Sequence, residues 1–302
     1  MPDVRAPEEP GLARIIRPGS RMGPKPTGPQ IHRTACSEVG AFLTCKQLHG
    51  FGYQMGLKAS DEKPARKVGT LIHVGLAYRY GALLPQKPAW MVYPDPRTAL
   101  WTVAQGDVEA GVLALKVFDA YQAYYPIEQN YWKPILVEHQ FEVVWDIDGV
   151  PEKYTLRVDL LAQDTRTGEI VMPDHKSCYK LSKNVGLSYR ADREMLTGLA
   201  LCRNAGYDVK RIVINAMTKG TQEQPTPQFA RYDVPISAEA YAHFGDDTIH
   251  AIREMRAIQI SHPDPARRPR TLESCQRKYG LCDFWPICTE GPQRLTEFTR
   301  KW

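Results

Sequence analysis

Three residues in the middle of the chain have the types and spacing for hydrolytic chemistry: Asp159, Asp174 and Lys176. They fall in apolar runs over 137–145, 156–161 and 170–177, separated by the turn pairs Asp148-Gly149 and Thr167-Gly168. Runs rich in Val, Ile, Leu and aromatics with such turns between them predict a meander of three strands. Side chains at i and i+2 of a strand share a face, so Asp174 and Lys176 point together and can meet Asp159 across the sheet. Carboxylate oxygens suit Mg²⁺ or Mn²⁺, which bind few protein groups and keep room for water and substrate phosphate. A lysine beside such an ion orients or deprotonates an attacking water and offsets charge building on phosphorus. Glu138 adds a further acid in the first run. An ordinary hairpin with charged edges can also contain Asp-x-Lys, so the weight of the reading falls on the rest of the chain.

The cysteines form a second constellation. There are seven, at 36, 45, 178, 202, 275, 282 and 288. An odd count with no apolar leader argues against a disulfide framework. Cys275, Cys282 and Cys288 crowd into 14 residues, with Gly280 and Pro286 allowing tight turns. Soft thiolates select iron–sulfur clusters or Zn²⁺. Zinc is the lesser alternative, because its sites favour tight Cys-x₂₋₄-Cys pairs. Three thiolates leave a four-thiolate site one short, and Cys45 or Cys36 must supply the fourth. Either would tie the first folded helix to the last segment.

The elements that must position these groups can be read in order. Residues 1–32 are rich in Pro, Gly and Arg and read as a disordered basic tail. A helix is expected from about Thr34 to the glycines at 50 and 52, with Cys45 inside it. Residues 58–67 read as a loop. A helix capped by Thr70 follows, with Ile72, Leu76, Tyr80 and Leu83 inward and His73 at the edge of that face. Residues 85–104 look irregular. A helix is expected over 107–125, with Val108, Val112, Leu115, Phe118 and Tyr121 or Gln122 at helical spacing. After Lys176 come a polar loop over 179–184 and a helix over 188–204, ended by Gly206. Strands over 209–217 and 228–234 and a long helix from Ser237 complete the pattern. Strands between helices give an α/β or α+β class, a central mixed sheet flanked by helices with cysteine-bearing additions at both ends. The expected organisation is one domain over 33–290, with a core of about 68–235, a cysteine part from 34–57 and 260–290, and a tail over 291–302.

Composition bounds the function. The chain has 302 residues, 43% hydrophobic and 24% charged, and net charge +5. No apolar run approaches the roughly 20 residues of a membrane span, so a soluble cytoplasmic protein without membrane partners is expected. Residues 1–34 carry six Lys/Arg against three Asp/Glu, and 261–302 carry eight against five. Each end is therefore +3 and the middle −1, a distribution suited to a polyanion held near an acidic metal site.

Taken together these motifs resemble the RecB-like branch of the PD-(D/E)XK nuclease superfamily, in particular its iron–sulfur exonucleases. Those include the CRISPR-adaptation exonuclease family and phage-encoded relatives. The resemblance covers roughly residues 34–290. It rests on a Cys in an N-terminal helix, Gly-x-x-x-His at Gly69 to His73, Asp159, the Asp174-x-Lys176 pair and three terminal cysteines. Asp159, after Val158, fills the place of the superfamily's first Asp; the literal Pro173-Asp174 does not.

The resemblance implies Mg²⁺ or Mn²⁺ held by His73, Asp159, Asp174 and the backbone carbonyl of His175, with Lys176 catalytic. It implies a 4Fe–4S cluster on Cys45, Cys275, Cys282 and Cys288. It also implies DNA, with a free or single-stranded end, as substrate in a bacterial or phage-infected cell, alongside recombination or repair proteins. Glu138 sits where some members have an additional acid. The family's Gln-x-x-x-Tyr is replaced here by Glu194-Met-Leu-Thr-Gly198, with Tyr189 as a stand-in for the missing tyrosine. Arg190, Arg193, Lys180, Lys183, Arg267, Arg268 and Arg270 are the expected phosphate contacts. The alternative is a non-cleaving DNA-binding or recombination-mediator protein on the same fold.

Overall fold

The computed structural model describes residues 32–60, 63–220, 225–277 and 280–301. The tail expected over 1–32 lies outside them, except for His32, which opens the first strand. In chain order the elements are β1 (His32–Ala35), α1 (Cys36–Thr44), α2 (Lys46–His49), a π-turn over Gly50–Gln54, β2 (Leu57–Ala59), α3 (Pro64–Gly81), α4 (Pro96–Val103) and α5 (Val108–Tyr124). The sheet strands β3 (Trp132–Ile147), β4 (Val150–Asp164) and β5 (Ile170–Cys178) follow, then α6 (Val185–Ser188), α7 (Arg193–Asn204), β6 (Val209–Thr218), β7 (Phe229–Val234) and α8 (Ala238–Ser261). The C-terminal part holds β8 (Gln276–Arg277), β9 (Gly280–Leu281), α9 (Trp285–Glu290) and β10 (Phe298–Arg300).

The central sheet is mixed, in the order β1-β4-β5-β6-β7, with β3 on the other side of β4. The meander is therefore present, with longer strands than the apolar runs alone suggest. β3 and β4 pair antiparallel along almost their whole length. β4 meets β5 only at Ala162–Val171 and Gln163–Ile170. On the same edge, β1 runs parallel to β4 over Glu152 to Thr155. Between these short pairings, residues 156–161 of β4 have no strand on that edge, and Asp159 lies in that gap.

Pro173 explains why β5 peels away. The N–H of His175 points toward β4, so by the two-residue period the nitrogen of Pro173 lies on the same edge, with no hydrogen to donate. The β4–β5 ladder cannot run through it.

Helices close both faces. On one, α3 and α5 bury Leu71, Ile72, Leu76, Tyr80, Phe118 and Tyr121 against Leu160, Ala162 and Val171. Gly75 permits their close approach, since a Cβ there would stand 2.8 Å from the Phe118 ring. On the other face, α7 buries Met195, Leu199 and Cys202 against Val158, Leu161, Met172 and Ile214.

Several local expectations need correction. α3 starts at Pro64, not at Thr70. Proline in the first turn is itself a start signal, and Thr70 lies inside the helix with its hydroxyl on the Arg66 carbonyl. Residues 96–103 are helical rather than irregular, because the Asp95 carboxylate caps the Arg97 and Thr98 N–H groups. Val108 and Val112 are exposed, and Ala110, Ala114 and Val117 fill the inner face of α5 instead. Cys45 is not inside a helix. It is extended, with φ −166°, at a break between α1 and α2.

The β4–β5 turn is fixed by charge. Asp164 has no accessible surface, and its carboxylate accepts from Arg166 Nη2 at 2.7 Å and Arg211 Nη2 at 2.8 Å. Arg211 also reaches Glu169 and Asp233. The Arg166 hydrogen bonds, helped by Arg211, hold the Asp164 carboxyl down at about 2. A depressed folded value means the contribution is complete above the unfolded carboxyl range, about 4, and is lost as pH falls through about 2. Because both arginines are partly solvated, Asp164→Asn is expected to cost only about 1–2 kcal/mol at neutral pH. In urea unfolding, the gap between wild type and variant should close between about pH 4 and pH 2. A gap constant through that range would contradict the assignment.

Candidate active site

The gap on β4 gathers the candidate residues from three directions. α3 supplies His73. Gly69, one turn earlier on the same face, lets the helix approach the end of β5, where a Cβ would lie 3.3 Å from Ser177 Oγ. His73 Nδ1 then stands 3.4 Å from Asp159 Oδ1. The other oxygen, Asp159 Oδ2, accepts the backbone N–H of His175 at 2.8 Å, taking the place of a missing ladder bond. In a strand the C=O and N–H of one residue point the same way, so the His175 carbonyl also faces the gap.

β3 supplies Glu138, which lies opposite Asp159 between the pairs Val137–Leu160 and His139–Val158. Its backbone is left-handed, with φ +50° inside a strand. A non-glycine residue held there costs about 1–3 kcal/mol, and such strain gathers at functional sites. The result is a cluster: one ligand atom each from His73, Glu138 and Asp159 lies within 4.8 Å of the others. Arg157 caps the outer side of Glu138 at 3.0 Å.

β5 supplies Asp174 and Lys176 on one face. Lys176 Nζ is 2.9 Å from Asp174 Oδ2 and 2.8 Å from Glu194 Oε2 on α7. Its aligned hydrogen bond goes to Glu194. Asp174 Oδ2 therefore has a charge contact but, buried, no aligned donor.

The electrostatics are those of crowded acids short of a cation. Burial, with the Asp159 charge adding to it, pushes both Glu138 and Asp174 up to about 7. Asp159 goes the other way: burial would raise it, but His73, His175 and Lys176 together hold it far below the carboxylate range. Desolvation pulls the His73 imidazole down, yet Asp159, Glu138 and Asp174 outweigh it and hold it at about 9. His73 thus supplies positive charge that a bound divalent ion would supply better. Hard oxygens, one imidazole and an unaligned buried carboxylate oxygen fit a small divalent cation.

A buried polar network holds β5 in place behind the site. The His175 ring stacks on Tyr80 with centroids 5.8 Å apart, and its Nδ1 lies 2.9 Å from Asn215 Nδ2. Asn215 also donates to the Tyr121 hydroxyl at 3.0 Å, which pairs with the Tyr80 hydroxyl at 2.8 Å. Burial drives His175 down to about 3, so its ring is neutral. Neither Asn215 nor Tyr121 was singled out from sequence as part of the site; only its polarity inside an apolar strand marks Asn215.

The other expected residues separate. Tyr189 packs against the α7 core, and burial raises its hydroxyl to about 12, with Lys176 and Asp174 among its electrostatic neighbours. Lys180, Lys183 and Arg190 are exposed. Arg193 is turned inward onto Thr248 Oγ1 at 2.7 Å. Arg267 is exposed beside Asp264. Arg270 donates to the Cys288 carbonyl. Arg268 is 3% exposed and donates to the His262 carbonyl, so it is a structural residue and not a surface contact for phosphate.

The cysteines lie elsewhere. Cys45, Cys275, Cys282 and Cys288 line one cavity together with Gln47, Arg270, Phe284 and Trp285. Burial and the three neighbouring sulfurs push the Cys288 thiol up to about 12. Cys36 is in another cluster, its Sγ 3.4 Å from Thr197 Oγ1. Among the described residues no three sulfurs lie within 4.8 Å of one another. Four thiols lining one cavity are a donor set suited to an iron–sulfur cluster or to Zn²⁺.

No helix among the described residues is long and apolar enough to cross a membrane. A family model described as the PD-(D/E)XK nuclease superfamily matches residues 33–289. Among solved structures the chain is similar to a Eubacterium rectale protein described as a candidate exonuclease, at 10% identity and TM-score 0.48, over 85% of this chain and 87% of that one. It is also similar to SSO0001, at 14% identity and TM-score 0.36, over 74% of this chain and 85% of that one. No curated protein matches it.

Proposed function

Given that the chain belongs to the PD-(D/E)XK nuclease superfamily, we propose that it is a metal-dependent deoxyribonuclease that degrades DNA from an end. The observation that supports this reading is the grouping of His73, Glu138 and Asp159 at the β4 edge left uncovered between β1 and β5, with the Asp174–Lys176 ion pair on the adjoining strand β5. Asp159, Asp174, His73 and the His175 carbonyl are the donors for Mg²⁺ or Mn²⁺, with Glu138 as a further acid. Such an ion supplies Lewis-acid catalysis to phosphodiester hydrolysis. Lys176, steadied by Glu194, orients the attacking water and offsets negative charge at phosphorus in an in-line displacement. The left-handed Glu138 and the His175–Asn215–Tyr121 network keep the acids in register. Lys180, Lys183, Arg190 and Arg267 are exposed cations available to the DNA backbone.

In this reading Cys45, Cys275, Cys282 and Cys288 hold a structural 4Fe–4S cluster that joins the first helices to the last segment. Processing of DNA in recombination or repair is the fitting role.

End-labelled single- and double-stranded DNA incubated with Mn²⁺ tests the activity. Progressive shortening that stops on chelation is expected. DNA that is bound but left intact would favour a non-cleaving DNA-binding protein and sink the proposal.

A further inference from the structure

Arg157, Arg211, Arg253 and Arg256 around the sheet each have a carboxylate partner. The segment leaving the active site differs. β5 ends at Cys178, and the next residue, Tyr179, is 77% exposed. Lys180, Lys183 and Arg190 are exposed, and among the described residues none of them has a carboxylate within 4.0 Å. Leu187, on α6, is 49% exposed.

The segment is nevertheless anchored. Gly186 is buried against β7, where a Cβ would stand 2.5 Å from the Asp233 carbonyl, and Tyr189 packs into the core beneath α7. An aromatic ring is thus presented to solvent next to the site. It lies three residues beyond Lys176, hence no more than about 10 Å along the backbone.

We propose that residues 179–190 form a platform for single-stranded DNA. The Tyr179 ring stacks on a base beside the phosphate being cleaved, and Lys180, Lys183 and Arg190 hold flanking phosphates. This rests on the nuclease reading and narrows it to a strand whose bases are unpaired at the site. Charge complementarity argues for a polyanion. The ring argues for single strands, since only unpaired bases offer a free face for stacking.

Fluorescence anisotropy in the absence of divalent ions, with a labelled single strand and a matched blunt duplex, is the test. Tyr179→Ala is expected to weaken single-strand binding roughly tenfold and duplex binding less than twofold, while Tyr179→Trp restores the single-strand affinity. Lys180→Gln with Lys183→Gln should reduce the salt slope for single strands by about 1.4. Unchanged single-strand binding by Tyr179→Ala, or equal weakening of both ligands, would overturn the platform while leaving Mn²⁺-dependent cleavage by wild type as the separate measure of the nuclease reading. Failure of wild type to bind either DNA would sink both.

Discussion

Lys176→Ala is expected to lose DNA cleavage by at least about 10³-fold in kcat, with substrate binding little changed. The ammonium is supplied by a side chain that does not itself ligate an ion. Its ion pairs among the described residues are with Asp174 and Glu194. Asp174→Ala should be as damaging, because it removes a proposed ion donor and frees Lys176 from its 2.9 Å partner. Neither change should disturb the fold. Lys176 is partly exposed, and removing the Asp174 carboxylate relieves a buried oxygen that lacks an aligned donor. Single-turnover cleavage beside far-UV circular dichroism checks both halves. A folded Lys176→Ala protein with wild-type rates would remove the mechanism.

Cys45→Ser is expected to abolish the visible absorbance of anaerobically purified protein and to lower Tm by about 10 °C, with Asp159-dependent chemistry still in place in the protein that remains folded. The size follows from how little else joins the two ends. Among the described residues the satellite core beneath the cysteine cavity has four buried apolar residues, Phe51, Leu57, Phe284 and Ile287, with partly buried Leu48, Met55, Leu295 and Phe298 around them. Polar links supplement it: Ser274 Oγ donates to the Thr44 carbonyl, Gln47 to the Ala266 carbonyl, and β10 pairs with β2. Asp283, next to Cys282, holds Lys63 and Arg66 at the start of the His73 helix. Loss of one thiolate should therefore loosen the cysteine part first, seen as early proteolysis within 260–290. A colourless wild-type protein carrying one equivalent of zinc would contradict the cluster.

The meander was legible because its turns and apolar runs are local, and Asp174-x-Lys176 follows from strand periodicity alone. What makes the site was not. The gap on β4 depends on β1 pairing more than a hundred residues away, and nothing in a window around Asp159 reveals it. From sequence Pro173 is only part of a Pro-Asp pair that does not fill the superfamily's first-Asp position; its missing N–H is what ends the β4–β5 ladder. Glu138 could be noted as an acid, but its left-handed backbone is imposed by the surrounding strands. Helical spacing alone did not give the buried face: Val108 and Val112 face solvent while small alanines fill the packed side of α5. Arg268 read as a surface charge because its neighbours are basic, yet it is folded beneath the chain onto His262. Local signals that were present and missed include Pro64 and Asp95, both ordinary helix starts.

Whether these acids serve a cation is tested most directly by calorimetric titration of Mn²⁺ into protein stripped of divalent ions, wild type against Asp159→Asn. Saturable binding by wild type, weakened at least about tenfold in the variant, is the expected result. No saturable binding by wild type, or equal affinity in Asp159→Asn, would contradict a metal site in the β4 gap.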